Sequence, residues 1–179
     1  QLRALAGQRR IYEVEVLVVD NASTDATTEI ARAVGLPGLR IVSCTDGRGP
    51  GHVRNHGIRE ACGDVLLFCD ADDVVSDDWL ALMVCAAERF PLFGGPIDVT
   101  SLDSLPGPER PSLALPHDLD WRPWGIGCNL GMRRDVVDRI GLFHEGYACA
   151  GDVEFRWRAA RAGIPFDLVE GAVVRYRPG

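Results

Sequence analysis

Asp64-Val65-Leu66-Leu67-Phe68-Cys69-Asp70-Ala71-Asp72-Asp73 sets five apolar residues, 65–69, against a run of acids. A continuous apolar run bounded by turn signals is the pattern of a strand buried on both faces, and such strands belong to sheets covered by helices. The carboxylates then stand where the strand leaves the core, the edge at which α/β sheets bind ligands. Asp70 and Asp72 form a D-x-D pair suited to a hard divalent cation, which takes oxygen ligands and shares them with substrate phosphates. The same acids would equally serve a solvated strand-to-helix turn, so the surrounding chain has to decide.

Upstream, the pattern predicts a strand over 14–19 that ends at Asp20, with Asn21-Ala22-Ser23-Thr24-Asp25 supplying turn and cap residues for a helix over 26–34. A short strand over 39–43, a glycine loop over 47–51 and a helix over 52–62 closed by Gly63 lead into the central run. Downstream, Ser76-Asp77-Asp78 opens a helix to about residue 90, and a strand over 93–99 follows. Residues 101–124 carry Pro106, Pro108, Pro111, Pro116 and Pro123, which forbid regular structure. Helices over 134–140 and 152–162 and strands over 166–169 and 172–176 complete the chain. Leu2, Leu5 and Ala6 read as the end of a helix, so the chain opens in mid-element. This alternation predicts an α/β fold with a mostly parallel central sheet between helices.

The formal net charge is −7 and the basic residues are dispersed, which argues against a nucleic acid polymer as partner. All 19 basic residues are arginine, so chemistry that requires a lysine is excluded. The six cysteines show no CxxC or metal-finger spacing and fall mostly in apolar segments, as reduced thiols in a reducing compartment do. With no signal peptide and no transmembrane-length segment, the expectation is a cytoplasmic protein, at most associated with the inner membrane face.

Two predicted strands end in aspartate, and in a parallel sheet Asp20 and Asp70 would face one crevice. Gly49-Pro50-Gly51 followed by His52-Val53-Arg54-Asn55 places a helix N-terminus at that edge, where backbone N–H groups favour an anion. A dinucleotide fingerprint, G-x-G-x-x-G, starts at Gly47 or Gly49 but finds His52 or Arg54 in place of its third glycine. A phosphatase of the haloacid dehalogenase type fits Asp70-Ala71-Asp72-Asp73-Val74 but wants a downstream lysine.

A third pattern runs through most of the chain. Val18-Val19-Asp20-Asn21-Ala22-Ser23-Thr24-Asp25, Gly51-His52-Val53-Arg54-Asn55-His56-Gly57-Ile58 and Phe68-Cys69-Asp70-Ala71-Asp72-Asp73 occur in order. Gly127-Cys128-Asn129 through Met132-Arg133-Arg134, Ile140-Gly141-Leu142-Phe143 and Gly151-Asp152-Val153-Glu154-Phe155-Arg156-Trp157-Arg158 follow. Together they resemble the family 2 glycosyltransferases of the GT-A fold, a Rossmann-like three-layer α/β/α domain. The resemblance implies an inverting, metal-assisted transfer of a sugar from a nucleotide-diphosphate donor to an acceptor hydroxyl. It implies one domain over 1–179, with a nucleotide-sugar-binding half over 1–100 and an acceptor and catalytic-base half over 101–179.

Residue by residue, the resemblance makes Asp20 a contact to the base and Arg54 a neighbour of the base or diphosphate. Asn21, Ser23, Asp25, Gly51, Asn55 and Ala71 join the donor site. Asp70 would approach the ribose and metal, and Asp72 would coordinate the Mn or Mg ion bridging the diphosphate, whose developing charge the cation neutralises. Asp152 matches the general base that takes the acceptor's proton, though it would also serve as a helix cap. Glu154 is a second candidate, and Gly127, Asn129 and Gly151 lie in the acceptor region. Trp121 and Trp124 would stack on an acceptor sugar or anchor the proline-rich loop. The acceptor would be a sugar, a lipid-linked or a small molecule.

Three departures from the family pattern stand out. Gly151 replaces the glutamate before the base, and Tyr176, beside Arg175, replaces a metal-binding histidine. The family's first strand has no counterpart before Gln1, so the sheet is expected to lack it and the chain alone to be less stable and less active. These departures motivate an alternative, a non-catalytic nucleotide-sugar binding domain of the same fold, with the phosphatase reading third.

Overall fold

The computed structural model describes residues 1–8, 12–98 and 127–176. Trp121 and Trp124 therefore lie outside the described residues, as does the whole proline-rich segment. Helix α1 (Leu2–Gln8) precedes β1 (Val16–Asp20), α2 (Thr27–Ala33) and β2 (Leu39–Ser43). β1 and β2 pair in parallel, from Val16 opposite Leu39 to Asp20 opposite Ser43. Next come α3 (Pro50–Glu60), β3 (Val65–Cys69), the short β4 (Val74–Val75), α4 (Trp79–Arg89), β5 (Leu92–Gly94) and β6 (Ile97–Asp98). β7 (Asn129–Arg133), α5 (Arg134–Ile140), α6 (Gly151–Arg161), β8 (Phe166–Leu168) and β9 (Val174–Arg175) follow.

The largest sheet has the order β3-β7-β5-β8, and β4, β9 and β6 make a smaller one. The expectation of a mostly parallel sheet is corrected here. β7 runs antiparallel to both of its neighbours, β3 and β5, and only β5 and β8 in that sheet are parallel. The apolar run of 65–69 read correctly as a strand, but β7, with glycine and asparagine in it, carried no strand signal in sequence. Among the described residues no ladder joins β1 to β3.

The layers follow from alternation along the strands. Phe93 packs with Trp79, Leu80, Met83 and Ala87 of α4, while its neighbour Leu92 packs on the other face with Val136 of α5 and Phe155 and Ala159 of α6. Leu130 and Met132 of β7 join that second cluster. The chain therefore forms α/β/α layers around the mixed sheet. The strand predicted over 93–99 breaks at Gly95-Pro96. A Cβ on Gly95 would lie 1.8 Å from the Ala172 carbonyl, so only glycine lets the chain step from β5 into β6 there.

The antiparallel register of β7 is what positions the site. Asn129 stands opposite Cys69, so Gly127 and Cys128, just before β7, are delivered to the end of β3 where Asp70 begins.

Candidate active site

At the end of β1 the polar groups serve the turn itself. The Asp20 carboxylate accepts the Ser23 N–H at 3.2 Å, and the Asn21 amide donates to the Cys44 and Gly47 carbonyls at 2.5 and 2.9 Å. Asp25 accepts from the Thr27 N–H and hydroxyl, which holds its carboxyl below the ordinary range. Ala22 takes a left-handed φ of 58° within this turn.

At the end of β3 the carboxylates meet other elements. The Arg54 guanidinium, from the second turn of α3, lies 3.5 Å from Asp70 Oδ1. Burial raises the Asp70 carboxyl, and the nearby charges of Asp72 and Asp152 raise it further while Arg54 pulls it down. Gly127 joins these groups from both sides. Its N–H donates to Asp152 Oδ2 at 2.7 Å, and a Cβ on it would stand 2.4 Å from the Arg54 guanidinium. Asp152 lies in the first turn of α6, which begins after Ala150 in a left-handed conformation, φ 60°. Asp70, Arg54, Gly127 and Asp152 thus share one crevice, with exposed Ala71 and Asp72 at its rim.

Buried Asp73 and Cys128 each bring a ligand-type atom within 4.8 Å of the other and of Asp70. Sequence reasoning gave neither a role, although Asp73 directly follows the Asp70-Ala71-Asp72 pair. Burial pushes the Cys128 thiol well up, and its sulfur is a soft donor that Mn and Mg do not favour. The carboxylates of half-exposed Asp70 and of exposed Asp72, whose charge acts on Asp70, are hard oxygen donors of the type Mn and Mg take. Tyr176, where the histidine was expected, is close enough that Asp73, Asp70 and Asp72 contribute to raising its phenol, after burial and Cys128.

Several of the expected contact residues also brace the fold. Asn55 is 1 % exposed, and its amide donates to the Phe143 carbonyl and to Glu145 while accepting the Phe143 N–H. Asn129 is wholly buried; it accepts from Trp79 Nε1 and donates to the Pro96 and Ala172 carbonyls. With both amide N–H groups committed inside the protein, each of these side chains has only the second lone pair of its oxygen left for a ligand. Glu154 pairs with Arg158 at 2.6 Å, and Arg158 also donates to the Ile140 and Leu142 carbonyls. Gly51 lets α3 approach the His144 carbonyl, 3.1 Å from where its Cβ would be, and Gly151 sits beside Tyr147.

A crevice at a strand end, with carboxylates facing an arginine and a second acid on a later helix, within α/β/α layers, is the architecture of the GT-A class. The chain belongs to glycosyl transferase family 2, whose family model matches residues 2–141. It is 32% identical over 167 residues to the glycosyltransferase AglE of Haloferax volcanii, covering 89% of this chain and 55% of that protein. It is 41% identical over 90 residues to the succinoglycan biosynthesis protein ExoO of Rhizobium meliloti, covering 50% of this chain and 25% of that one. Among solved structures, a mannosyltransferase from Pyrobaculum calidifontis in complex with GDP-Man and Mn2+ superposes with a TM-score of 0.71 at 25% identity, over 98% of this chain and 51% of that one. S. aureus TarS in complex with UDP-GlcNAc gives 0.71 at 22% identity, over 99% and 54%. The chain thus spans about half the length, or less, of these relatives.

Proposed function

We propose that this domain transfers a sugar, with inversion, from a nucleotide-diphosphate donor to an acceptor hydroxyl on a sugar, lipid-linked or small molecule. The observation that carries the reading is the Asp152 carboxylate tied through Gly127 to the Arg54–Asp70 pair. Residues 1–100 would bind the donor, and 101–179 would supply the acceptor surface and the base. Asp152 would take the acceptor hydroxyl's proton as that oxygen bonds the anomeric carbon and the bond to the nucleoside diphosphate breaks. Arg54 would share the charge that develops on the departing diphosphate. A divalent cation held by Asp70 and Asp72 would neutralise more of that charge. The neighbour solved with GDP-Man and Mn2+ supports both the donor class and the cation. Six free cysteines and a cytosolic type of donor support a cytoplasmic site of action. Among the described residues no helix is long and apolar enough to cross a membrane.

The test is Asp152→Asn in a donor-turnover assay with parallel calorimetry of donor binding. Turnover should fall about 10²–10⁴-fold with donor affinity retained; unchanged turnover removes Asp152 from the mechanism. A second reading, a nucleotide-sugar binding domain without catalysis, is favoured by Gly151 and Tyr176. It predicts cation-dependent donor binding with no turnover in the unsubstituted protein.

A further inference from the structure

A second cluster of ligand-type side chains lies away from the Asp70 crevice. Cys44, Asp46 and His56 each offer one atom, a thiol sulfur, a carboxylate oxygen and an imidazole nitrogen, all within 4.8 Å of one another. Two fixed elements supply them. Cys44 directly follows β2, and its backbone is anchored at both ends, N–H to the Asp20 carbonyl at 2.8 Å and carbonyl to the Asn21 amide. His56 lies on α3, one turn beyond His52. Cys44 is fully buried, His56 partly buried and Asp46 exposed, so the cluster opens to solvent on one side.

We propose that Cys44, Asp46 and His56 form a zinc site that ties the 44–49 loop to α3. A mixed sulfur, nitrogen and oxygen set is the chemistry of Zn2+, whereas Mg2+ and Mn2+ prefer oxygen ligands. Tetrahedral Zn2+ with bonds of 2.0–2.3 Å needs ligand atoms about 3.5 Å apart, so each pair has at most about 1.3 Å to close. Three protein ligands leave a fourth position for water. His52 supplies the supporting shell, with Nε2 3.1 Å from Asp46 Oδ1 and Nδ1 2.8 Å from Glu145 Oε2, the kind of hydrogen bond that orients a ligating carboxylate. On binding, the Cys44 thiol gives its proton to solvent as the sulfur–zinc bond forms. The site shares no ligand with the proposed glycosyl transfer, which uses the carboxylates of Asp70 and Asp72.

The experiment uses chelator-stripped protein carrying Cys62→Ser, Cys85→Ser and Cys149→Ser, which removes the exposed thiols. Zinc titration by calorimetry should give one equivalent, and cobalt should give sulfur-to-metal charge-transfer absorption. Zn2+ should also raise the melting temperature by mass action. Cys44→Ser should abolish the charge-transfer band, and His56→Gln, whose partly exposed side chain puts folding at less risk, should weaken zinc more than about 100-fold. Asp70→Asn with Asp72→Asn should leave both signals intact. No zinc binding, no sulfur-to-cobalt band, or an affinity unchanged in His56→Gln would each overturn the proposal, and loss of the signals in the Asp70 and Asp72 pair would relocate the metal to the crevice.

Discussion

Two strands of this protein end in aspartate, and the two ends are built differently. After β1, Asp20, Asn21 and Asp25 bond backbone within their own turn or the adjoining 44–47 segment. After β3, Asp70 faces Arg54 from α3 and feels Asp152 from α6, both far away in sequence. A carboxylate bonded by its own turn has fewer acceptor positions left for a ligand. One pressed by burial and like charge against a distant cation keeps free energy in reserve, the condition that recurs at functional sites.

Removing each carboxylate in turn sharpens the contrast. Asp70→Asn should lower turnover about 10³-fold and abolish the response to added Mn2+, with a small change in melting temperature. Asp20→Asn should act on donor affinity, by about tenfold, since a hydrogen-bonded contact to a base amounts to about 1–2 kcal/mol. Equal losses of turnover in steady-state assays of the two would break the distinction.

The braces test the opposite case. Asn129→Leu would strand Trp79 Nε1 and the Ala172 carbonyl, while the Pro96 carbonyl keeps the Val174 N–H. At about 1–3 kcal/mol for a buried unsatisfied group, the loss should reach roughly 3 kcal/mol, read as a lower urea midpoint. Donor affinity of the fraction that remains folded should be unchanged; a selective loss of acceptor use would return Asn129 to the site.

What the sequence revealed and what it hid divide along the same line. The strand over 65–69 and the helix over 134–140 were legible because hydrophobic periodicity is local. Asp70, Arg54 and Asp152 were legible because their motifs stand in a recognisable order. The antiparallel β7 was not, because its place between β3 and β5 depends on pairing partners more than 35 residues away. For the same reason Asn55 and Asn129, polar and in motif, looked like ligand contacts. Only tertiary structure shows that their hydrogen bonds are already committed.

His52 offers a smaller effect with a definite sign. Its hydrogen bonds to Glu145 and Asp46 raise the imidazole above its ordinary value, while Asn55 and then His52 lower Glu145, and His52 lowers Asp46. Arg59 adds a positive charge 3.7 Å from Glu145. The histidine's contribution should be complete below about pH 6.5 and vanish as pH rises through the raised value. The carboxylates' contributions should vanish as pH falls through their lowered values. Melting temperatures of the protein and of His52→Gln should therefore differ most in mildly acidic solution and converge in alkali. A gap that stays constant with pH would show that His52 acts by packing alone.

The smallest effect concerns backbone. Ala22 and Ala150 are exposed and left-handed at φ 58° and 60°, one inside the β1 turn and one before the helix that carries Asp152 toward the Asp70 end. An alanine there costs about 1–2 kcal/mol, which glycine would relieve, less about 0.5–1 kcal/mol for the greater freedom of the unfolded chain. Ala150→Gly and Ala22→Gly should each raise stability by up to about 1 kcal/mol, measured by denaturant unfolding. Only Ala150→Gly should touch turnover, because glycine loosens the approach to Asp152, whereas the β1 turn is held by side-chain hydrogen bonds on either side of Ala22. If Ala22→Gly reduced turnover more than Ala150→Gly, the β1 end would be the more demanding half of the site and the contrast between the two strand ends would invert.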